Sequence, residues 1–459
     1  MRPILFQCLL SATGGTSGTA RSPSVQRHCR GVCNPMTRPF QILWMVVGLQ
    51  VAMGRALPAS LTPLGGLPGG GQQSIATALS ADGQVVVGGA ASSEGGRAFR
   101  WTRAGGMKDL GVLDPGNFGS MAVGVTTDGE VVVGNSSSSR SRTGVEPFRW
   151  TAARGMERFP GELPTGLDGA EAKSVSADAN VVVGIGWKSS SPTGFPRRPL
   201  PIRWTAASGW QILGGFTPTA SQGTATAVSG DGGTIVGSVS VPRPGDAVSW
   251  RLDSTLEALG QPAENTYEGA APLAVSFNGR FIAGFVTIAS QRYACRWTDG
   301  QGPSFLKEFP SIYQFSAANG ISDDGNVIVG GDAGLGAFVW ETGTGMQSLW
   351  ERLVKLGVNP ASQAWLTLGG PQAVTGNGRF MCGSGYRGKS DQAYLVDLAP
   401  ELKCQRVAGG LRFTWPTGFT LQQSASMSPA LWDAVPNAQS PKVVPIDALA
   451  HFFRLTAAQ

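Results

Sequence analysis

Histidine is nearly missing from this chain: His28 and His451 are the only two in 459 residues. The long stretch between them therefore holds no Ser-His-Asp or Cys-His nucleophilic system and no histidine-ligated metal. Charge is also scarce, at 14% of residues against a usual ~25%. A pI of 9.1 suggests a basic protein, but the excess is confined to the amino terminus. Residues 1–56 carry six arginines and no acid; without those six, 30 basic residues face 30 acidic ones. A nucleic-acid partner, which demands a surplus of lysine and arginine, is not expected. Cysteine is sparse too. Cys8, Cys29 and Cys33 lie near the start, and Cys29 and Cys33 beside His28 lack the second ligand pair of a metal site. Neither a metal nor a cofactor is expected.

Long apolar runs are absent, with one short exception. Phe40–Met53 reads FQILWMVVGLQVAM, preceded by Arg38 and followed by Gly54-Arg55-Ala56. That is the pattern of a secretory signal with small residues at its cleavage site. Fourteen residues suit such a segment better than a bilayer span, which takes about 20. Residues 1–56 are accordingly read as an upstream extension plus signal, with Met36 as an alternative start. The mature protein is expected outside the cytoplasm, secreted or at the cell surface, with no membrane span and as a monomer.

What is abundant is glycine, 66 residues, about twice the usual ~7%. With 41% hydrophobic residues, this composition favours many short strands and turns over disorder. The glycines fall into a repeat. ALSADGQVVVG from Ala78 recurs as GVTTDGEVVVG from Gly124, SVSADANVVVG from Ser174, AVSGDGGTIVG from Ala227, AVSFNGRFIAG from Ala274, GISDDGNVIVG from Gly320 and AVTGNGRFMCG from Ala373. The spacing is 46 to 53 residues. A second half follows each copy: AFRWT from Ala98, PFRWT from Pro147, PIRWT from Pro201, AVSWR from Ala247, ACRWT from Ala294, AFVWE from Ala337, and AYLVD from Ala393.

Asp-Gly or Asn-Gly between two apolar β-prone runs predicts a hairpin with φ > 0 at both turn residues. Asp178-Ala179 lacks the glycine, which predicts a strained or longer turn there. The continuous VVVG run predicts a strand buried on both faces. Each unit then supplies four strands, the size of one propeller blade. The fold class is all-β: a seven-bladed propeller of four-stranded blades over 57–398, a linker over 399–408, and a small carboxy-terminal β-domain over 409–459. The segment Leu61–Gly65 is expected to complete the last blade and close the ring, hiding its open edge. Leu349–Leu356 has helical spacing.

The Ser-x-Asp-Gly-x-Val-Val-Val-Gly and Ala-Phe-Arg-Trp elements resemble the HAF family of extracellular bacterial repeats across roughly 58–398. Arg97 or Gly336 stands where the family's histidine precedes Ala-Phe. The resemblance implies a secreted β-propeller-like protein and brings no reaction with it. Residues 409–455, through Leu411–Pro416, Phe419–Gln422 and Phe452–Leu455, resemble a carboxy-terminal β-module of secreted bacterial proteins.

The Asp-Gly acids are read as turn chemistry, since Asn278 and Asn377 replace them. The arginines before tryptophan (Arg100, Arg149, Arg203, Arg296) are read as inter-blade hydrogen bonders and the tryptophans as core. Cys295 and Cys382 fall at apolar blade positions. Cys382 and Cys404 are a candidate disulfide pair. Function is expected on the long loops of one face, where Trp187, Lys188, Arg198, Tyr267, Tyr313, Tyr386 and Arg387 are candidate ligand contacts. This favours a secreted, non-enzymatic binding or interaction protein with a glycan or protein ligand. A carbohydrate-active enzyme using two carboxylates is a second reading, with Asp114, Asp168, Glu171, Asp246, Glu268 and Asp391 as its acids. A structural cell-surface protein is a third.

Overall fold

The computed structural model describes residues 4–6 and 59–457, apart from 117–118, 190–196, 215–221, 241–245, 254, 263–266, 299, 307–314, 399–402, 408–409, 416–418, 425–432, 436–438 and 445–451. The expected signal segment, Tyr313 and both histidines lie outside these residues. Two compact units are present.

The first, Leu57–Pro400 with Pro416–Phe419, is a propeller of seven blades. Each is an antiparallel meander. Blade one runs Ser74–Leu79, Val85–Ser92, Gly95–Thr102 and Gly106–Asp109. Blades two to six repeat this order up to Gly345–Ser348. Blade seven takes Phe380–Arg387 and Ser390–Asp397 as its middle strands. Ser60–Gly65 pairs antiparallel with the latter, from Ser60 opposite Asp397, and so closes the ring from the amino-terminal side. The helix is Leu349–Lys355, capped by the Ser348 hydroxyl.

The tight turn differs from expectation in an instructive way. Only its last residue takes positive φ, such as 67° at Gly83. The aspartate stays out of that region because its side chain, not its backbone conformation, makes the turn. In all seven copies the Ser or Thr hydroxyl donates to the Asp or Asn oxygen two residues on, at 2.5–2.9 Å. The same hydroxyl accepts the N–H of the residue five on, at 2.9–3.0 Å. Every one of these hydroxyl residues is buried. Asp178-Ala179 has the same length as the others, with Ala179 held at φ 60°. It is the strained option, not the longer one.

The VVVG glycine has a different cause. In blades one to six the first strand shifts register at the same place, for example between Ala76 and Ala78, and blade five has a further shift between Tyr267 and Gly269. This bulge presses a carbonyl onto the second strand. A Cβ added at Gly88, Gly134, Gly184, Gly237, Gly284 or Gly330 would lie 1.9–2.2 Å from that oxygen. Only glycine permits the approach. In blade seven the first strand breaks at the same place, into Trp365–Leu368 and Ala373–Val374.

The hydrophobic core is divided among the junctions between blades. Val85, Val87 and Ala98 of blade one meet Ala122, Val132, Phe148 and Trp150 of blade two. Val133 faces the other way, onto Ala170, Val182 and Trp204. Alternate valines of one strand thus serve two junctions, which is why the run is apolar throughout. Five of the six repeat tryptophans are buried, and Trp340 is half-buried.

In the second unit, Phe452–Ala457 pairs with Ile4–Phe6 and shares a sheet with Phe419–Ser424 and Asp433–Ala434. A three-stranded sheet holds Lys403–Val407, Gly410–Thr414 and Lys442–Val444. The stretch 399–408, read as a linker, thus contributes a strand. Phe413 and Phe453 pack with ring centroids 4.4 Å apart.

Two outcomes are expected. Ala179→Gly should raise stability by about 0.5–1 kcal/mol, because an L-residue in the left-handed region costs ~1–2 kcal/mol. A lower urea midpoint for the variant would contradict this. The Asp128 carboxyl is held below its ordinary range by the Thr126 hydroxyl and the Glu130 N–H. Asp178 is held low by the Asn180 N–H and the Ser176 hydroxyl. A lowered folded value stabilises above the unfolded pKa, about 3.9, and that stability is lost as pH falls through the folded value. An Asp128→Asn, Asp178→Asn protein keeps the turn, as Asn278 and Asn377 do. Its urea midpoint should fall less between pH 5 and pH 2 than that of the natural chain; equal falls would refute the link.

Candidate functional site

The loop-face residues are spread over three blades and do not converge. Trp187 Nε1 donates to Glu171 Oε1 at 2.9 Å, and Lys173 Nζ lies 3.0 Å from Glu171 Oε2. Arg198 is exposed, opposite Lys188 in blade three. Tyr267 Oη donates to Asp246 Oδ1 at 3.4 Å in blades five and four. Tyr386 is exposed on blade seven. Arg387 is occupied, donating to the Gln363 carbonyl at 2.8 Å and to Gln392 Oε1 at 3.1 Å, over the Trp365 ring.

Five of the six loop acids, all but Asp391, have structural partners among the described residues. Gln261 Nε2 donates to Asp246 Oδ1 at 2.9 Å. Glu268 accepts the Ser290 N–H at 3.0 Å, and Asp168 meets Arg142 at 3.3 Å. Two carboxylates converge at Arg158: it pairs with Asp114 and, at 3.1 Å, with Glu146. Arg158 and the Ser139 N–H hold the Asp114 carboxyl well below the usual carboxylate range. Asp114 is thus held ionised beside the guanidinium, the opposite of the raised acid that protonates a leaving group.

Two concave spaces stand out among the described residues. The central channel holds about 230 Å³ and is lined by the bulge residues Thr77, Val123, Lys173, Thr226 and Leu273. Thr77 and Thr226 spend their hydroxyls on the next blade, donating to the Ala122 and Pro272 carbonyls at 3.0 and 2.5 Å. The larger space, about 500 Å³, is a groove between blades four and five. It opens on the face of the tight turns, away from the long loops. Ser249, Arg251, Glu257, Gly279, Trp297 and Gln301 define it. Arg251 donates to Thr234 Oγ1 at 3.3 Å and to Glu257 Oε2 at 3.4 Å. The indole N–H of the buried Trp297 has no hydrogen-bond partner.

Three of the four arginines before tryptophan bridge blades. Arg100 Nε donates to the Gly129 carbonyl at 3.0 Å, and Arg296 Nη1 to that of Gly325 at 2.8 Å. Arg203 Nη1 donates to Leu252 O at 2.7 Å. Ser249 stands at the equivalent position, within AVSWR, and nothing in the sequence marks a site there. The missing signal was geometric, namely which carbonyl each arginine reaches.

Cys295 and Cys382 are free, buried thiols. Cys404 sits in the strand Lys403–Val407, and its side chain lies outside the described residues. No group of three or more His, Cys, Asp or Glu that could hold a metal occurs among the described residues.

No family model and no curated protein matches the chain. Among solved structures it is similar to TolB from Acinetobacter baumannii, at 15% identity and TM-score 0.34, over 51% of this chain and 55% of that one. The chain thus spans about half the length of that protein. It is also similar to an oligogalacturonate lyase from Vibrio parahaemolyticus, at 13% identity and TM-score 0.48, over 74% of this chain and 93% of that one. These likenesses add nothing to what the chain's own strands show, a seven-bladed β-propeller with additional strands beyond the ring. Among the described residues no helix is long and apolar enough to cross a membrane.

Burial pushes the Cys382 thiol up to about 12. A raised folded value stabilises below the unfolded pKa and is lost as pH climbs through the folded one. Alkylation of the native protein at pH 8, followed by peptide mapping, should leave Cys295 and Cys382 unmodified, and both should react in denaturant. Native-state labelling of either would contradict the packing.

Proposed function

We propose that this is an exported, non-catalytic binding protein whose propeller presents the groove between blades four and five to a polypeptide partner. The groove is the observation that carries the reading. Its 500 Å³ falls within the ~300–1,000 Å³ typical of ligand sites. It combines an aromatic wall, Trp297, with charged and amide groups at the rim, Arg251, Glu257 and Gln301. The surrounding ring is rigid, because every neighbouring junction is packed. Export is supported by the signal-like segment Phe40–Met53 and by the repeats that resemble the extracellular HAF family. The loop-face residues of blades three, five and seven would then supply solubility or secondary contacts.

The test is an array of peptides and glycans probed with the full chain and with its Ser249→Arg variant, which fills the groove. Peptide signals should drop at least tenfold in the variant. Peptide hits indifferent to Ser249→Arg, or hits on glycans alone, would sink the reading.

A further inference from the structure

Position by position, the seven junctions solve one packing problem. The residue before the repeat tryptophan is Arg100, Arg149, Arg203, Ser249, Arg296, Val339 or Leu395 in blades one to seven. Register confirms the equivalence: Arg100 stands opposite Lys108, Arg203 opposite Gln211, Ser249 opposite Glu257 and Arg296 opposite Ser304. Arg100, Arg203 and Arg296 cross to the next blade. Where Val339 replaces arginine, Leu349 and Leu353 of the helix move in. Leu395 is met by Leu64, Phe380 and Trp101. Ser249, itself buried, lines the groove just described.

Resting on that groove as the binding site, we infer that its ligand is a guanidinium group, the arginine side chain of a partner polypeptide. This side chain would take the place that an internal arginine holds at other junctions. Two features of this position receive arginine elsewhere, and a third adds a negative charge. Gly279 is the repeat equivalent of Gly129 and Gly325, whose carbonyls accept Arg100 and Arg296, and it lines the groove. Trp297 is the equivalent of Trp340, and the Arg296 Cζ lies 5.3 Å from the centre of that ring. Such a cation over an indole is favourable, most so when desolvated. Glu257 places a carboxylate opposite Ser249, as Glu157 does opposite Arg149 in blade two, where blades one, three and five have Lys108, Gln211 and Ser304. Arg251 engages Glu257 through Oε2. Arginine fits better than lysine because its planar fork serves a carbonyl, a carboxylate and a ring face at once. Arg251 and Arg280 at the rim give the opposite case, an anionic ligand, which the test separates.

The experiment uses the full chain, with calorimetry and thermal melts against the blocked amides of arginine, citrulline, lysine and glutamate. Arginine amide should bind saturably, and citrulline amide, isosteric but uncharged, at least tenfold more weakly. Ser249→Arg should raise Tm by a few degrees without ligand and abolish the arginine-amide shift. Glu257→Gln should weaken arginine amide about fivefold with Tm unchanged. It also carries the test if Ser249→Arg fails to fold. Equal binding of citrulline amide, tighter binding of glutamate amide, or arginine-amide binding indifferent to both substitutions would overturn the assignment. Loss of the array partner in Ser249→Arg without any arginine-amide binding would overturn the guanidinium alone and leave the groove as a binding site.

Discussion

The propeller depends on a hydroxyl buried at the base of every blade. Left unbonded, such a group costs ~1–3 kcal/mol. Here it is satisfied by a carboxylate or amide on one side and a backbone N–H on the other. The bond does more than close a turn. It orients the residue between the hydroxyl and the acid so that its backbone meets the next blade. Ala81 N donates to Thr127 O, Thr127 N to Ala177 O, and Ala177 N to Gly230 O, at 2.9–3.2 Å. Asp231 N continues to Phe277 O and Asp323 N to Gly376 O. Between them the Phe277 N–H finds the Asp323 carboxylate at 3.2 Å in place of a carbonyl. A circumferential chain of hydrogen bonds therefore runs around the turn face.

The inner wall is fixed by a second constraint. The bulge in each first strand turns one side chain toward the axis and one carbonyl into the neighbouring strand. Glycine in the second strand accepts the carbonyl. The side chain then ties blades together, as Thr77, Thr226 and Asn319 do by donating to the Ala122, Pro272 and Pro371 carbonyls. Inter-blade contact is thus polar at the axis, apolar in the middle, and carried by arginine and tryptophan near the rim. Trp204 and Trp250 donate to the Pro160 and Gly214 carbonyls at 3.1 Å, each reaching back to the preceding blade. Trp297, beside the groove, makes no such bond.

Departures from the repeat have unequal consequences. Ala179 is absorbed locally, as strain in one turn. Val339 is compensated by an inserted helix, and Leu395 by apolar neighbours on the strand that closes the ring. Ser249 is not compensated in this way, and it lines the groove between blades four and five. A repeat protein makes such comparisons unusually direct, since each blade serves as the control for the next.

Seven copies of a hydroxyl, an acid or amide, and an apolar run were enough to read off blade number, strand count and ring closure. These follow from short-range chemistry and from the apolar sides that each sheet must hide. The roles of Arg100, Arg203 and Arg296 were legible for the same reason, being repeated. The backbone of the turn was not, because the Asp side chain replaces the φ > 0 that Asp-Gly alone suggests. Nor was the groove, since Ser249 reads as a harmless exchange until Arg100 and Arg296 are seen reaching Gly129 and Gly325. The loop residues Trp187, Tyr267 and Tyr386 carry no repeat, so only the folded ring could set them on separate blades. Periodicity determined the scaffold, because local sequence dictates strands and turns; tertiary structure decided the site, because a cavity belongs to the space between blades and to no single segment.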